Sequence, residues 1–383
     1  MTPLPSDVLG RVFLEALPVS SSDRLCPTEA PLNLSQVNTQ WRETALNQRA
    51  LWDTIIFPPT SGPTKHPTLT YHALLRFIQR KGVDLWFSRA GPVRLLSLGE
   101  DAPPTQKTSF LVDLKPAFIK YSQRLRYISF TITKIKHLEQ VRKGFPPGFD
   151  AFKALEEVRI VSPLAMDVTT LEGFSTFNVP WLNEAPNFTK LTLLLQRARP
   201  MVWVLPWKQL RELTMGQLDS FEWYRIFREC SSLTHADLVE PEKDGASTTT
   251  LTHDSLTTLT LRFGSARRPL GFSDDHWSFL SSPVSFPSLT RVDIVFHNMS
   301  RSSRMLRCRE HFKNVRSLRI ADENPGNIPP DVHDIIEALQ TGESQYFPSL
   351  EELRIPYPYK HMRNLVQALT LRPPGWLALG EGT

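Results

Sequence analysis

The sequence is poor in cysteine and glycine. It has 3 cysteines in 383 residues, Cys26, Cys230 and Cys308, with no CxxC pair among them. An odd number of widely separated cysteines argues against a disulfide framework or a zinc ribbon and favours a reducing compartment. The 17 glycines stand against 32 prolines, a ratio that disfavours Gly-rich nucleotide-binding turns, long helices and coiled coils. It favours many short elements that begin at prolines.

Signatures of catalysis, cofactor binding and membrane insertion are also missing. The patterns GxGxxG, GxxxxGKS/T, HExxH and GxSxG do not occur, so we predict no enzyme, no catalytic residue, no cofactor and no bound metal. No apolar run approaches the roughly 18 residues of a membrane span, and the first residues lack the basic segment of a secretory signal. We therefore expect no membrane partner and a location in the cytoplasm, the nucleus or both.

Charge of one sign is not in large excess. Lys and Arg number 44 and Asp and Glu number 39, a net charge of +5 that is too dilute to indicate a nucleic-acid protein. The local exception is the segment 301–319, where seven Lys and Arg residues cluster. Such a cluster is typical of a nucleic-acid patch or a nuclear import signal, although only Phe312 offers a ring for base stacking. A solvated helix and loop is the favoured interpretation. The basic residues are Arg301, Arg304, Arg307, Arg309, Lys313, Arg316 and Arg319.

Residues 1–57 carry apolar residues at helical spacings. Ser6 and Asp7 form an N-cap pair before an amphipathic helix that ends at Pro18. Pro31 opens a second helical pattern, and Ala50-Leu51-Trp52 is a third short apolar piece. Three helices in fewer than about 60 residues make a small core that a partner or the next domain completes. The positions that set the first two spacings are Val8, Leu9, Val12, Phe13, Ala16, Leu17, Leu34, Val37, Trp41 and Ala45.

The segments LPSDVLGRVFLEAL and LNLSQVNTQWRETALNQRALWDTI together resemble the F-box of mushroom-type fungi. In that form a Leu-Pro helix is followed by a Val-x-x-x-Trp-Arg helix and an Ala-Leu-Trp ending. The resemblance implies that residues 1–57 form a small three-helix domain that binds the Skp-type adaptor of a cullin-based ubiquitin ligase. The adaptor-binding residues that it implies are Leu4, Pro5, Val8, Leu9, Val12, Phe13, Leu34, Val37, Trp41, Leu51 and Trp52.

Residues 58–92 are predicted to form a linker and a helix. Turn formers from Pro58 to Pro67 indicate the linker, and an apolar stripe from Leu69 to Ile78 has helical spacing. The stretch VDLWFSRAGPVRLLSL, residues 83–98, resembles the helix-to-strand junction that follows the F-box in the same fungal proteins.

A hexad with apolar residues at its first, fourth and sixth positions recurs nine times from residue 125 onward. Its inner alternation is typical of a half-buried strand: Leu353 and Ile355 point inward while Glu352 and Arg354 face water. Such strands bury their apolar rows by stacking in parallel under covering helices. The hexads are LRYISF (125), LEEVRI (155), FTKLTL (188), LRELTM (210), LTHADL (233), LTTLTL (256), LTRVDI (289), VRSLRI (315) and LEELRI (350).

The hexads start 22 to 35 residues apart, which suits one strand plus one returning helix or loop per unit. Covering helices are predicted around Phe221, Tyr224 and Phe227, and over residues 332–339 and 362–369. The repeat resembles the irregular leucine-rich repeats of F-box proteins. The predicted fold is α/β: a small N-terminal three-helix F-box followed, over residues 93–383, by an irregular leucine-rich-repeat solenoid with a parallel sheet.

The outward strand positions define a candidate target-binding face of mixed charge, which suits protein recognition better than phosphate tracking. The sequence thus predicts the substrate-recognition subunit of a Skp–cullin–F-box ubiquitin ligase, with an adaptor, a cullin scaffold and a target protein as partners. The alternatives are a protein-interaction scaffold without a ligase and, less favoured, a nucleic-acid-binding protein. The outward residues are Tyr127, Glu157, Arg159, Lys190, Glu212, His235, Asp237, Arg291, Asp293, Arg319, Glu352 and Arg354.

Overall fold

The chain divides into two compact units. Unit 1 contains Met1–Ala198 and Val202–Pro206, and unit 2 contains Arg199–Met201 and Trp207–Thr383. The boundaries predicted at residues 57 and 92 stay predictions. The computed structural model describes residues 4–17, 31–57, 82–90, 93–99, 116, 119–131, 152–162, 177–194, 203–216, 220–239, 251–263, 284–296, 312–322 and 348–354.

Unit 1 contains a sheet whose strands all run parallel. Its neighbouring strands, in order, are β1 (Thr54–Phe57), β2 (Val93–Gly99), β3 (Leu125–Thr131), β4 (Glu157–Val161) and β6 (Lys190–Leu194). A small separate parallel pair joins β5 (Phe177–Asn178) to β7 (Trp203–Val204). The helices whose bounds the structure describes in this unit include α1 (Ser6–Glu15), α2 (Thr39–Asn47), α3 (Gly82–Arg89) and α4 (Pro180–Asn183).

Unit 2 repeats the same parallel arrangement. Its neighbouring strands, in order, are β8 (Glu212–Gly216), β9 (His235–Val239), β11 (Thr258–Phe263), β13 (Arg291–Phe296), β14 (Ser317–Asp322) and β15 (Glu352–Arg354). The strands β10 (Leu251–Thr252) and β12 (Val284–Ser285) form a separate parallel pair. Helix α5 (Ser220–Glu229) lies where the covering helix around Phe227 is predicted.

Each of the nine predicted hexads overlaps a strand, and in eight of them the strand begins at the third residue of the hexad. These strands run parallel within their units. Their apolar side chains are buried except for Leu353, which is half-buried, and Ile355, which lies outside the described residues. The parallel sheet with helices confirms the α/β class. The period-two prediction succeeds because one face of each strand is buried, so alternation records the direction of each side chain.

The strand starts are held in one register by a repeated hydrogen-bond pattern. The carbonyl of Thr234 accepts from the backbone N–H groups of both Thr257 and Thr258 at 3.0 Å, and that of Thr257 accepts likewise from Thr290 and Arg291 at 3.0 Å. The Thr257 hydroxyl also donates to the Thr234 carbonyl at 3.0 Å. Each strand start is thereby fixed to its neighbour, which aligns the inward and outward rows along the sheet.

A tight turn precedes most of these strands. The N–H of the first hexad residue donates to the carbonyl three residues earlier, as from Leu289 to Phe286 at 3.1 Å and from Val315 to Phe312 at 3.1 Å. Both phenylalanine side chains are buried. Pro287 lies inside the first of these turns, where its missing N–H leaves no ladder bond unmade. Pro186 has the same place in the turn that precedes Phe188.

The N-terminal helices differ in detail from the sequence prediction. Helix α1 begins at Ser6 with Pro5 before it and no side-chain cap, so Ser6 is not the capping residue. The predicted second helix is divided into a short 3-10 turn, Leu34–Gln36, and α2. The division lies at Asn38, whose backbone is extended and whose Oδ1 accepts from the Trp41 N–H at 2.8 Å. The third predicted helix is a single 3-10 turn, Arg49–Leu51.

Strand β1 was not predicted, because four residues without polar alternation carry no period-two signal. Helix α3 and strand β2 occupy the junction at residues 83–98, where a helix and a strand are expected.

The helices predicted over residues 69–78, 332–339 and 362–369 lie outside the described residues. No helix within the described ranges combines the length and apolar character needed to cross a membrane.

Candidate partner-binding surfaces

The residues implied in adaptor binding separate into two sets by burial. Five of them face the interior of unit 1 and can influence a docking surface only through the packing beneath it. These are Leu9, Phe13, Leu34, Leu51 and Trp52. Trp41 is half-buried, and the others are exposed: Leu4, Pro5, Val8, Val12 and Val37.

The two sets follow from the geometry of helix α1. Leu9 and Phe13 lie four residues apart on one stripe and are 1% and 0% exposed, while Val8 and Val12 lie on the adjacent stripe at 41% and 48%. Residues four apart share a helix face, so both pairs are continuous stripes. The helix is therefore apolar on its solvent side as well as on its core side.

The start of α2 brings a further exposed aliphatic residue next to this helix. The Gln40 side chain donates from Nε2 to the Leu4 carbonyl at 2.9 Å, which ties the turn carrying Leu4 to the first turn of α2. Val37 lies two residues before α2 and is 57% exposed, while Leu4 is 53% exposed. We call Leu4, Val8, Val12 and Val37 the N-terminal apolar patch.

Aromatic side chains form the interior beneath this patch. The rings of Phe13 and Trp41 have centroids 5.0 Å apart, which joins α1 to α2. The Trp52 indole donates from Nε1 to the Ala45 carbonyl at 2.8 Å and meets the Trp86 ring edge-on at 5.0 Å. The N-terminal helices thus share an interior with α3.

A charged cluster attaches α3 to the segment that precedes β3. The Lys120 Nζ lies 2.7 Å from Oδ1 of Asp84, and the Tyr121 hydroxyl donates to the same oxygen at 2.7 Å. The hydrogen bond to Asp84 raises the pKa of Lys120, and burial raises the pKa of Tyr121. Lys120 is exposed to solvent, so this ion pair serves more to orient the helix than to stabilise the fold.

The outward residues of unit 1 form two rows. Tyr127, Glu157 and Lys190 are Cα partners across β3, β4 and β6. Arg159 lies one row further along, as the partner of Ser129 and Thr192, and is exposed. Because the rows cross neighbouring strands about 4.8 Å apart, their side chains form one continuous surface.

The outward residues of unit 2 also form two rows across its strands. We call this surface the unit 2 face. The first row is Glu212, His235, Thr258, Arg291, Ser317 and Glu352, and the second is Thr214, Asp237, Thr260, Asp293, Arg319 and Arg354. The register thus brings the predicted outward residues of this unit together on one surface.

Ion pairs within the unit 2 face engage several of its carboxylates. Asp237 pairs with Arg262 at 2.8 Å, and Glu352 pairs with Arg354 at 2.6 Å. The Ser317 hydroxyl donates to Glu352 at 2.7 Å, and this bond, with the help of Arg354, lowers the pKa of Glu352. Sequence reasoning missed Arg262, although alternation that continues past the hexad would have placed it on the outward side.

Arg291 and Asp293 form a third pair on one strand. The Arg291 Nη2 lies 2.9 Å from Oδ2 of Asp293, and the hydrogen bond raises the pKa of the arginine. The carboxyl of Asp293 belongs to a residue only 9% exposed. Its pairing with Arg291 compensates for much of the cost of desolvating it.

The basic segment 301–319 is only partly described. Arg301, Arg304, Arg307 and Arg309 lie outside the described residues. Within them, Arg316 pairs with Glu351 at 3.6 Å, and Arg319 belongs to the unit 2 face. The two described arginines therefore lie in different settings, one at a strand start and one on the sheet face.

Chemically reactive groups are sparse in the part of the chain that the structure describes. No three His, Cys, Asp or Glu side chains come together there as a possible metal site. Cys230 is buried, and burial strongly raises the pKa of its thiol, which disfavours the reactive thiolate. His253 is also buried, with Nε2 at 2.9 Å from the Cys230 carbonyl.

Comparison with known proteins found no matching family model and no matching curated protein. The function is therefore inferred from two surfaces: the N-terminal apolar patch and the outward rows of the sheets. The patch is aliphatic and exposed, whereas the outward rows are polar and several of their charged side chains pair with each other.

Proposed function

We propose that this chain is the target-binding subunit of a Skp–cullin–F-box ubiquitin ligase. The observation that carries the proposal is the N-terminal apolar patch, which occurs on the segment that resembles an F-box. Four large aliphatic side chains there are between 41% and 57% exposed. Clustered exposed aliphatics mark interaction sites, whereas isolated ones are common on any surface.

Burial of this patch supplies the energy for docking. Complete burial of an exposed valine or leucine contributes about 1.5–3 kcal/mol, so side chains that are already half covered contribute roughly half of that. Four such residues would contribute several kcal/mol before the costs of association. An adaptor that presents a complementary apolar groove is the occupant that the F-box resemblance implies.

The connection from these helices to the sheet supports a positioning role. Strand β1 begins at Thr54, two residues after Trp52, and pairs with β2. Trp52 itself contacts Trp86 of α3. No free linker therefore separates the proposed adaptor-binding helices from the first strand of unit 1. The chain contributes proximity and orientation to ubiquitin transfer, not bond chemistry.

The sheet faces are the proposed target-binding surfaces. Both outward rows of unit 2 mix acidic, basic and hydroxyl side chains, and ion pairs within the unit 2 face engage several of its charges. A nucleic-acid surface instead requires many cations free to neutralise phosphates. The paired charges favour a protein target.

The test is direct binding of the purified full-length chain to a Skp-type adaptor from a mushroom-type fungus. The variant Val8→Glu/Val12→Glu places two carboxylates in the patch, where docking would bury them without partners, so affinity should fall more than about a hundredfold. The matched control is Leu85→Glu, which makes the same kind of change at a residue 56% exposed on α3. It should leave adaptor affinity unchanged.

Two outcomes would overturn the proposal. The wild-type chain could show no affinity for the adaptor, or Leu85→Glu could weaken binding as much as the double variant does. Adaptor binding without recruitment of a cullin into the complex would instead support the interaction-scaffold alternative.

A further inference from the structure

The unit 2 face contains one arginine that its internal ion pairs do not engage. Arg319 lies on β14, is exposed, and has Asp293 on β13 and Arg354 on β15 as its Cα partners. Both neighbours are already paired, with Arg291 and Glu352 respectively. Among the described residues, none makes a hydrogen bond or an ion pair with the Arg319 guanidinium.

The electrostatic balance around Arg319 therefore leaves one positive charge. The neighbouring pairs on β13 and β15 each sum to zero, and both hold their arginines by short contacts of 2.9 Å and 2.6 Å. The Arg319 guanidinium retains its full set of N–H donors in a planar fork. Such a fork matches the two oxygens of a carboxylate.

A small apolar area lies next to this arginine on the same face. Ala321 follows Arg319 by two residues on β14, and its Cα partner on β13 is Val295. Both side chains are half-buried. Residues two apart on a strand share a face. A target segment in extended conformation could therefore place one side chain against Arg319 and the side chain two residues later against Ala321 and Val295.

We propose that Arg319 binds a carboxylate side chain of the target, on a segment that also carries an aliphatic residue close to that carboxylate. The inference rests on the proposed function and names the chemistry of its target. Charge complementarity selects the occupant, because Arg319 is a cation that no described residue pairs, and it lies beside neutral pairs. A nucleic-acid backbone would instead require a row of such cations.

The probe is a short fluorescein-labelled peptide that alternates glutamate and valine, titrated with the full-length chain at low salt by fluorescence anisotropy. We expect binding that weakens about tenfold when glutamine replaces glutamate in the peptide, and about tenfold in Arg319→Ala. Arg319→Lys retains the charge but loses the planar fork, so its affinity for the glutamate peptide should lie between those of the wild type and Arg319→Ala.

Arg316→Ala is the matched control. It removes the same charge from the start of the same strand, where Arg316 makes only a 3.6 Å contact with exposed Glu351. Its affinity for the peptide should stay within about twofold of the wild type. The inference is overturned if the wild-type chain does not bind the peptide, if both peptides bind equally, if Arg319→Ala binds as the wild type does, or if Arg316→Ala loses as much.

Adaptor binding measured on the same preparations separates this inference from the proposed function. Arg319→Ala should bind the adaptor as the wild type does. Loss of peptide discrimination with adaptor binding intact overturns the acidic-target inference alone. Absence of adaptor binding in every variant, with peptide discrimination intact, overturns the ligase proposal alone.

Discussion

The N-terminal apolar patch and the unit 2 face differ in how much of their binding chemistry is satisfied within the chain. On the patch, aliphatic side chains such as Val8 and Val12 face solvent above a buried stripe of the same helix. On the unit 2 face, Asp237, Asp293 and Glu352 are each held by an arginine. On the patch, a partner gains affinity by burying apolar surface, and salt changes this contribution little. On the unit 2 face, a partner gains affinity by pairing with a remaining charge, and salt screens that attraction.

The first prediction separates the two stripes of α1. Phe13→Ala removes a ring that is 0% exposed and contacts Trp41, so it should lower the free energy of unfolding by about 3–5 kcal/mol. Val12→Ala, one residue away on the exposed stripe, should change it by less than about 0.5 kcal/mol. Urea unfolding followed by tryptophan fluorescence measures both. Equal losses would contradict the assignment of one stripe to the core and the other to a partner.

The second prediction applies the same contrast to a strand of unit 2. Leu259 on β11 is 0% exposed, and its neighbour Thr260 lies in an outward row. Leu259→Ala should cost about 2–5 kcal/mol of unfolding free energy because it leaves a cavity in a closed interior. Thr260→Ala should cost less than about 1 kcal/mol in the same denaturation assay. Reversal of this order would place the interior on the other side of the sheet.

A third prediction concerns the break before α2. Asn38 caps this helix by accepting from the Trp41 N–H at 2.8 Å, so Asn38→Ala should lower the free energy of unfolding by about 1 kcal/mol. Asn38→Asp retains an acceptor and should lose little. Thermal unfolding of the two variants distinguishes them. If the aspartate variant is as unstable as the alanine variant, the cap is not the source of the stability.

The smallest expected effect is a pH dependence on the unit 2 face. Hydrogen bonds from Ser317 and Arg354 hold the pKa of Glu352 below its ordinary value. A carboxyl with a lowered folded-state pKa contributes stability above its unfolded pKa, and the contribution disappears as pH falls through the folded pKa. Ser317→Ala removes the largest cause, so it should cost less than about 0.5 kcal/mol near neutral pH, allowing for solvent screening.

Denaturation of the wild type and Ser317→Ala at neutral pH and in acid checks this dependence. The difference between the two proteins should shrink once Glu352 is protonated in both. A difference that stays constant or grows in acid would show that the hydroxyl stabilises the sheet through packing, and not through the carboxylate.

The inward and outward positions of the nine hexad strands could be predicted from the sequence, whereas the exposed stripe of α1 could not. In a hexad such as LTTLTL, starting at Leu256, polar residues separate the apolar ones, so the sequence itself distinguishes inside from outside. In α1, Val8 and Leu9 are adjacent and equally apolar. Which of them is buried depends on where α2 and the Arg49–Leu51 turn pack, and helical periodicity alone does not contain that information.

Contacts between distant strands were likewise beyond sequence reasoning. The pair of Asp237 and Arg262 joins residues 25 positions apart, and it forms because the register places one residue of β9 diagonally across from another of β11. The hydroxyl of Ser317 and the carboxylate of Glu352 lie 35 positions apart and meet because the register of β14 and β15 makes these residues direct partners. A sequence shows which residues face outward but not which of them neutralise each other.

Hydrogen exchange of the full-length chain, with and without a Skp-type adaptor, can show whether the N-terminal apolar patch is the docking site. The adaptor should slow amide exchange in residues 4–17 and 34–47, which carry the patch, and should leave strands β9 to β15 unchanged. Unchanged exchange in residues 4–17 and 34–47 at saturating adaptor, or protection confined to the strands, would contradict this prediction.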